Sequence, residues 1–491
     1  MKKIIKLAYI ASPLLLVACA AISPPAAQVS DQAASQWYSP LPETAKTGLP
    51  HQGSAKELAN WWQSLGDPLL VEFINSAQTA SSSLTAAAAR IQQARSAVVA
   101  AGAASAPNLN ASANASRGGA QLSLPVATST KVGLQASWEV DLWGGNRAAQ
   151  GAAQARLAGS QAGWHEARVS VAAEVANTYL NLRTCEQLVS VARDDVTSRS
   201  ETSRLTGLLA KAGFAAPADA ALARASNAQS QSMLTMQRTQ CDLYVKALVA
   251  LTAQSEPVLR QKLERTDLDK GYSASKSLAN LNTPQNLPDV PSLPAQLLAQ
   301  RPDVFAAQQE VAAASGDVGS AQAAKYPSLG LSGSVGLAAL RSGGVNTNGT
   351  TWSIGPVAVT LPIFDGGQRN AVVDLASVNY EAAVSNYRAK VRGAVKEVEE
   401  ALLSLQSAAD RLVDAAVATE GYSAAFVASE ARFKSGLGSL SDLEDTRRTA
   451  LAAKTALLNL ERERSAAWVA LYRALGGGWS INGNEIMAKT L

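Results

Sequence analysis

The chain consists of two similar halves, and this duplication limits the folds that it can adopt. The order of features between about residues 85 and 252 recurs between about residues 305 and 475. Three landmarks recur in order: Pro107 as Pro327, Gly145 as Gly367, and Gly213 as Gly436. Their spacings of 220, 222 and 223 residues far exceed the roughly 20 to 50 residues of solenoid repeats. The sequence therefore predicts a duplicated domain with one supersecondary plan.

The first 18 residues have the features of a secretory signal. Lysines at positions 2, 3 and 6 precede an apolar stretch that is too short to cross a bilayer. Cys19 follows directly, and residues 16–19 resemble the bacterial lipoprotein signal, in which the cysteine takes a diacylglycerol and becomes the new N-terminus. We expect lipidation at Cys19, with Ala20 favouring the outer membrane. The alternative is a plain secretory signal with an incidental cysteine.

Composition argues against several classes of protein. A net charge of only +4 does not indicate a nucleic-acid-binding surface. His51 and His165 are the only histidines and lack a metal-ligand spacing, and the sequence contains neither a phosphate-binding P-loop nor a nucleophile elbow. We therefore expect no enzymatic activity, no cofactor and no metal. Abundant alanine with few aromatic residues instead favours long, closely packed helices.

Six segments are predicted along the chain. They are a signal peptide (1–18), an N-terminal peripheral segment (19–76), a first repeat (77–253), a proline-containing connecting segment (254–300), a second repeat (301–475) and a C-terminal segment (476–491). Each repeat has the pattern of a helix, two strands, a long helix, a turn and a shorter helix.

The predicted strands alternate between apolar and polar residues. In the first hairpin, Leu109, Ala111 and Ala113 alternate with asparagine and serine, and Val132 to Leu142 continues the pattern. Alternation of this kind is typical of a strand between lipid and a watery lumen, although a half-buried soluble hairpin produces it too. A four-stranded sheet with unpaired edges cannot exist in a membrane, so further copies of the chain would be needed to close it. The facing of the last strand is ambiguous near Pro356.

Helix lengths predict a long bundle. The stretches 144–212 and 367–435 contain 69 residues each, or about 100 Å at ~1.5 Å per residue. The return helices, 218–253 and 440–475, contain 36 residues each, or roughly 54 Å. Each return helix, stacked end to end with the helix before a hairpin, would match the long helix. Such a bundle could cross a periplasm.

Several short motifs, together with Cys19, give the chain its resemblance to a known family. They are Trp61-Trp62-Gln63-Ser64-Leu65-Gly66-Asp67-Pro68, Arg301-Pro302-Asp303-Val304, Tyr326-Pro327-Ser328-Leu329, Phe364-Asp365-Gly366-Gly367 and Leu475-Gly476-Gly477-Gly478. In this order they resemble the outer-membrane factors of tripartite efflux systems, relatives of TolC and OprM, and in particular the NodT-like lipoprotein branch.

The resemblance implies a mainly α fold with membrane β: a homotrimer whose strands close one 12-stranded β-barrel on a long α-helical periplasmic tunnel. It implies passive export of drugs or other small molecules across periplasm and outer membrane. The implied partners are a periplasmic adaptor (membrane fusion) protein, an inner-membrane pump of the resistance-nodulation-division (RND) class and outer-membrane lipid. No nucleic acid is expected.

The resemblance also assigns roles to the turns after the long helices. Gly213 and Phe214, and Gly436 and Leu437, match the family's periplasmic tips that contact the adaptor. A glycine is also favoured there because it can end a helix in the left-handed conformation.

Asp442 and Asp445 match the aspartates that line the narrow periplasmic entrance in this family, and Asp219 occupies the corresponding place in the first half. The alternative is helix capping, with Ser441 and Glu444 forming a capping box and the aspartates favouring the helix dipole. Gating and capping are compatible.

Cys185 and Cys241 lie 28 residues before and after Gly213. An antiparallel helical hairpin would bring them to similar height, and an oxidising compartment would preserve a disulfide. The alternative is a pair of small core residues.

Two other functions fit parts of the pattern. The same tunnel serves type I protein secretion, although the lipoprotein signal and NodT-like motifs favour small-molecule efflux. A periplasmic coiled-coil scaffold lipoprotein without a pore would not need the alternating strands.

Overall fold

The structure is a computed structural model, and it describes residues 22–30, 37–39, 61–119, 125–269 and 301–479. The chain divides into two compact units. The first comprises Met1–Asp31, Ala87–Gly163 and Phe305–Lys390, and the second comprises Gln32–Ala86, Trp164–Val304 and Val391–Leu491. The predicted signal peptide, Cys19, His51 and the C-terminal residues 480–491 lie outside the described residues.

The order of helices and strands repeats, as predicted. The first half contains α1 (Trp61–Ser64), α2 (Pro68–Ala80), α3 (Ser82–Ala103), β1 (Asn108–Gly118), β2 (Ala127–Val140), α4 (Gly145–Lys211), α5 (Pro217–Thr252) and α6 (Glu256–Asp269). The second half contains α7 (Pro302–Ala323), β3 (Ser328–Ser342), β4 (Val345–Thr360), α8 (Gln368–Lys434) and α9 (Leu440–Ala474). Both long helices, α4 and α8, contain 67 residues, close to the predicted length.

The structure differs from the plan drawn from the sequence, or adds to it, in three places. The first predicted helix is interrupted at Ser81, whose backbone is extended and whose hydroxyl accepts from the backbone N–H of Leu84 (3.3 Å). The connecting segment begins with a helix, α6, because Leu259 and Leu263 bury their side chains in the core. The glycine- and asparagine-containing stretch 341–350, whose composition favours a long turn, is mostly strand, since β3 and β4 are joined by Gly343 and Gly344 alone, both with positive φ.

The four strands of the first unit form one antiparallel sheet in the order β1-β2-β3-β4. Its central pair, β2 with β3, joins the two halves of the chain, and Gly133 lies directly opposite Gly336 there. A Cβ on Gly336 would lie 2.5 Å from the carbonyl oxygen of Val132, so the strands need glycine at this crossing. Within the described sheet, β1 and β4 are the edge strands.

The core of the second unit is rich in aromatic residues. Trp61 stacks on Tyr472 with ring centroids 5.2 Å apart, and Trp62 meets the same ring edge-on at 4.7 Å. Phe73 of α2 contacts Tyr179 of α4. These contacts pack the Trp61–Ala80 region against α4 and α9, which explains why residues from both ends of the sequence share one core.

Arg301 connects the start of α7 to two other helices. Its guanidinium donates to Asp303 (2.8 Å), to Glu397 of α8 (2.8 Å) and to the carbonyl oxygen of Ala474 at the end of α9 (3.0 Å). The helix start at Pro302 is therefore accompanied by a buried ionic contact.

Among the described residues, no helix combines the length and the hydropathy required to cross a membrane.

Candidate channel surfaces

One face of the sheet is apolar and exposed. It carries Leu109, Ala111 and Ala113 of β1, Val132, Leu134 and Trp138 of β2, Leu329, Leu331, Val335 and Leu337 of β3, and Trp352, Ile354, Val357 and Val359 of β4. Most of the large side chains in this set are more than half exposed, and Ile354 reaches 92%. A contiguous apolar surface of this kind indicates contact with a partner or a lipid phase.

The opposite face is polar. It carries Asn108, Asn110, Ser112 and Asn114 of β1, Lys131, Gln135, Ser137 and Glu139 of β2, and Ser332, Ser334, Thr351 and Ser353 of β3 and β4. Ser334 and Ser353 share a hydrogen bond of 2.8 Å across the strands. The alternation predicted from the sequence is thus present along the four strands.

A β-bulge resolves the ambiguous facing near Pro356. Leu331 pairs with Val357 and Gly333 pairs with Ile354. One residue of β3 therefore faces two residues of β4, Gly355 and Pro356. This extra residue shifts the alternation by one, so that Val357 and Val359 lie on the same face as Ile354. Gly355 has a φ of +105°, a conformation that favours glycine at this position.

Matching turns connect each hairpin to its long helix. Asp141 accepts from the backbone N–H of Asn146 (3.2 Å) and Arg147 (3.0 Å). Asp365 accepts from the N–H of Gly367 (2.9 Å), and Arg369 adds a side-chain contact (3.0 Å). These hydrogen bonds, chiefly those from Arg369, lower the pKa of the Asp365 carboxyl.

Aromatic side chains lie at the same end of the sheet. Trp143 stacks on Tyr326 at 4.9 Å, and its Nε1 donates to the carbonyl oxygen of Pro327 (2.7 Å). The indole N–H of Trp138 donates to the carbonyl oxygen of Ser105 (3.0 Å). Amphipathic aromatic rings of this kind are typical of a membrane–water boundary.

An N-terminal segment packs beside these turns in the first unit. Ser315 of α7 donates to the carbonyl oxygen of Pro25 (2.6 Å), and Tyr380 of α8 donates to that of Ala26 (2.9 Å). Pro24 lies against Gly319, close to the C-terminal end of α7. Residues 24–26 are therefore fixed to the helices that lead into and out of the second hairpin.

The two predicted tips have the same geometry. Gly213 and Gly436 have φ values of +79° and +75°. The N–H of Phe214 bonds to the carbonyl oxygen of Leu209 (2.8 Å), and that of Leu437 bonds to the carbonyl oxygen of Arg432 (2.9 Å). This six-to-one bond is the Schellman motif, in which glycine ends a helix and turns the chain. Phe214 and Leu437 are 83% and 75% exposed.

The predicted gate carboxylates lie just beyond the tips. Asp442 and Asp445, in the first turns of α9, are exposed, and so is Asp219 in the first turn of α5. Asp445 forms an exposed ion pair with Arg448 one turn later. The three carboxylates are thus accessible to solvent within one chain.

The predicted capping box is wrong. Helix α9 begins at Leu440, and its N-cap is Ser439, whose hydroxyl accepts from the N–H of Asp442 (3.0 Å). Ser441 is therefore already inside the helix. Glu444 turns into the bundle instead and forms ion pairs with Arg199 and Arg447.

Glu444 belongs to a polar cluster that the sequence analysis missed. Arg447 is 2% exposed and donates to Ser198 (3.1 Å) and Thr202 (2.9 Å) of α4. Burial lowers the pKa of the Arg447 guanidinium, and the Glu444 carboxylate opposes this shift. The only sequence signal was the spacing of Glu444 and Arg447, three residues apart on a helix, which is common among surface pairs.

The same cluster reaches the other two helices. Ser226 of α5 donates to Glu444 (2.9 Å), and Ser198 donates to Glu430 of α8 (2.9 Å). Burial alone would raise the pKa of Glu430, but hydrogen bonds from Lys434 and Ser198 outweigh it and lower the pKa. The cluster therefore connects α4, α5, α8 and α9 through charged hydrogen bonds.

Cys185 of α4 and Cys241 of α5 form a disulfide in the structure, with their Cα atoms 5.6 Å apart. The bond closes the first helical hairpin. The position in α8 that matches Cys185 is occupied by Ala408, so the cross-link is not repeated in the second hairpin.

Comparison with known proteins agrees with this geometry. The family model described as outer membrane efflux protein matches residues 73–254 and 293–477, one segment for each half. The chain belongs to this outer membrane efflux protein family. The match covers both hairpins and all four of the helices α4, α5, α8 and α9, and this efflux protein is a channel component of the outer membrane.

Individual relatives extend the match over nearly the full length. The efflux protein is 31% identical to the pyoverdine export outer membrane protein OpmQ of Pseudomonas aeruginosa, over 98% of this chain and 99% of that protein. It is 28% identical to nodulation protein T of Rhizobium leguminosarum, over 90% of this chain and 89% of the relative. The predicted resemblance to the NodT-like branch is confirmed.

Solved structures support the fold. The outer-membrane channel OprN superposes with a TM-score of 0.76 at 25% sequence identity, covering 93% of this chain and 99% of OprN. The predicted outer-membrane channel fold, with its duplicated helix–hairpin–helix halves, is therefore confirmed.

Proposed function

We propose that three copies of this efflux protein close their sheets into one 12-stranded barrel above a helical tunnel, which conducts drugs or other small molecules passively out of the cell. An RND-class inner-membrane pump would supply the energy and a periplasmic adaptor would join pump to channel. Cys19 would carry the lipid anchor.

The observation that carries the proposal is the sheet. Its apolar face is exposed, its other face is polar, and the edge strands β1 and β4 contain 11 and 16 residues. Long open edges favour pairing with further strands, and a sheet in lipid must close because every backbone group needs a hydrogen-bond partner. Joining β4 of one copy to β1 of the next satisfies both requirements.

The packing of residues 22–30 supports a lipid anchor at Cys19. Ser23 accepts a hydrogen bond from Gln322 (3.5 Å), just before α7 ends at Ala323 and β3 begins at Ser328. Three residues lie between Cys19 and Ser23, and the four extended steps from one to the other reach about 14 Å at most. A lipid on Cys19 would therefore insert close to the helix-side end of the sheet, where the aromatic residues lie.

The exposed tips support docking of the adaptor. Phe214 and Leu437 present apolar side chains at the ends of α4 and α8, and the Schellman turns fix their positions. In a trimer, six such tips would alternate around the tunnel entrance and offer six similar apolar contacts.

The acidic residues after the tips support a cation-sensitive entrance. Three copies of Asp442 and Asp445 would bring six carboxylates around one axis. Like charges at close range raise the free energy of the narrow state unless a cation or a proton binds. Asp219 would add three carboxylates at the corresponding turn of the first half.

The relatives support small-molecule cargo. One is named for export of pyoverdine, a small molecule, and the passive conduit proposed here has no need of a compact binding pocket. The pump and adaptor would therefore select the substrate.

Single-channel conductance in a planar bilayer tests the proposal. Wild type should give a small current that falls when divalent cations are added, and Asp442→Asn/Asp445→Asn should remove this sensitivity. Asp374→Asn, which removes an exposed carboxylate from α8, is the matched control and should behave as wild type. Folded trimers that conduct no ions would contradict the pore. A double variant that is as sensitive to divalent cations as wild type would limit the aspartates to a role at the helix terminus.

A further inference from the structure

Two arginines lie on the apolar face of the sheet at its loop end. Arg117 of β1 pairs with Thr128 of β2, and Thr128 pairs with Arg341 of β3, so the three residues form one row across the strands. Both arginines are exposed. We propose that Arg117 and Arg341 bind the phosphate groups of anionic lipids in the outer leaflet. This inference rests on the proposed trimeric barrel and names the lipid chemistry that it contacts.

The arginines lie on the same face of the sheet as the apolar side chains. Arg341, Leu337 and Leu329 are separated by even numbers of residues along β3, and this strand is paired with β2 without interruption, so their side chains lie on one face. Leu329 and Leu337 are eight residues apart, about 27 Å along a strand. Because the strands of a barrel are tilted, the projection of this length on the membrane normal is somewhat shorter than the ~25 Å apolar band that spans the membrane core. Arg341 lies four residues beyond Leu337, where headgroups replace acyl chains.

The end of the sheet is defined by its connections. The strand ends at Val140 and Ser328 adjoin the turns to the helices, where Trp138, Trp143 and Tyr326 lie. The arginine row lies at the opposite ends, next to the hairpin connections. In the proposed channel the helices extend into the periplasm, so the arginines reach the outer leaflet.

The spacing suits a phosphate ligand. Strands two positions apart in a sheet are separated by about 10 Å, and each arginine side chain can lean toward the other across Thr128. The planar guanidinium binds phosphate oxygens in pairs. The hydroxyl of Thr128, between the two, adds a hydrogen-bond donor for the same phosphate group.

Each half of the chain carries one of these arginines. Arg117 is the penultimate residue of β1, and Arg341 is the penultimate residue of β3. In a closed barrel with three copies, every second strand would therefore carry an arginine at its loop end on the lipid side. Six cations at regular intervals would match a leaflet of phosphate-bearing lipids better than a single soluble anion.

A third cation in this region provides the matched control. Lys131 of β2 lies between the arginine row and the apolar residues of the strand. The alternation of side chains places it on the polar face with Gln135 and Ser137. Removing Lys131 changes the net charge without altering the lipid-facing surface.

The test measures lipid binding to purified full-length trimers. The probes are a bisphosphorylated glucosamine lipid, the same lipid without phosphates, and inorganic phosphate. We expect Arg117→Gln/Arg341→Gln to weaken binding of the phosphorylated lipid by about tenfold, while Lys131→Gln binds as wild type. Arg117→Lys/Arg341→Lys should recover part of the affinity, because charge remains but paired donors are lost.

Several outcomes would overturn the inference. These are equal binding by wild type and the arginine double variant, equal binding of lipid with and without phosphates, or an equal loss in Lys131→Gln. Binding of inorganic phosphate as tightly as lipid would assign the row to a soluble anion. Conductance distinguishes failure of this inference from failure of the proposed function. The Arg117→Gln/Arg341→Gln variant should conduct as wild type. A wild-type protein that forms no pore would contradict the proposed function and, with it, the position of the arginines in the outer leaflet.

Discussion

Arg447 of α9 lies buried against Thr202 of α4, with its Nη2 atom 2.9 Å from the threonine hydroxyl oxygen. The guanidinium also lies over the ring of Phe426, with its carbon 5.5 Å from the ring centroid. A buried cation is costly unless it is paired, and here Glu444 provides the charge partner. This contact connects two helices that belong to different halves of the chain.

Loss of this cation should destabilise the bundle. Arg447→Ala leaves Glu444 half-buried with Arg199 as its remaining ionic partner, and breaking a buried pair typically costs about 3–5 kcal/mol. We expect a clear fall in the melting temperature of the purified trimer. Arg448→Ala is the neighbouring control, since Arg448 is exposed and its pair with Asp445 contributes about 0–1 kcal/mol. Equal effects from both variants would contradict a structural role specific to Arg447.

The glycine crossing between β2 and β3 should not tolerate a side chain. A Cβ on Gly336 would lie 2.5 Å from the Val132 carbonyl oxygen and 2.8 Å from the Gly133 Cα. Gly336→Ala should therefore separate the central strand pair and reduce the yield of folded trimer. Gly349→Ala, at a position of β4 with open space around it, should assemble normally. Gel mobility of unheated trimers measures both, and normal assembly of Gly336→Ala would show that the strands can separate without harm.

The disulfide should stabilise the first helical hairpin. Cys185 and Cys241 are 56 residues apart, and closing a loop of this size in the unfolded chain typically contributes about 2–4 kcal/mol. Cys185→Ala/Cys241→Ala should lower the free energy of unfolding by this amount and leave conductance unchanged. Reducing agent should destabilise wild type only. Two free thiols in non-reducing mass spectrometry of periplasmically folded protein would rule out this contribution.

Glu399 should make the attachment of residues 37–39 sensitive to acid. Its carboxylate accepts from the backbone N–H of Tyr38 (2.8 Å) and Ser39 (2.7 Å). Burial would raise the pKa of Glu399, but the hydrogen bond from the Ser39 side chain, together with these two backbone bonds, outweighs it and lowers the pKa below the ordinary 4.5. The carboxylate therefore contributes its full stabilisation above pH 4.5 and loses it as the pH falls through the lowered pKa.

The variant Glu399→Gln isolates this contribution. It should be less stable than wild type at pH 7, and the difference should shrink as the pH falls below 4.5. Thermal unfolding at a series of pH values measures it. A difference that is constant with pH would show that the amide hydrogen bonds do not depend on the charge.

The sequence was informative wherever a pattern extended over many residues. Helices of 67 residues and strands with alternating polarity leave strong periodic signals, so the sequence predicts α4 and α8 to within one residue at each end and both hairpins as pairs of strands. The tip glycines were equally clear, because the left-handed backbone conformation at Gly213 and Gly436 favours glycine.

Predictions failed where one residue changes the local phase. The N-cap of α9 is Ser439 and not Ser441, because both serines suit a helix start and only tertiary packing brings Glu444 to Arg199. The facing of β4 depended on the bulge at Gly355 and Pro356, which is visible only when β3 is aligned beside it. The ionic cluster around Arg447 joins four separate helices, so no local pattern could have revealed it.

The pairing of β2 with β3 has a consequence for the origin of the protein. This pair joins strands from different halves, yet it is antiparallel like the pairs within each hairpin. A half-length ancestor with one hairpin could therefore have formed the same sheet by placing identical chains side by side, with six copies supplying twelve strands. Fusion of two such genes would have halved the number of subunits and released the halves from identity. The disulfide, which joins two helices of the first half, is the kind of difference that such a fusion permits.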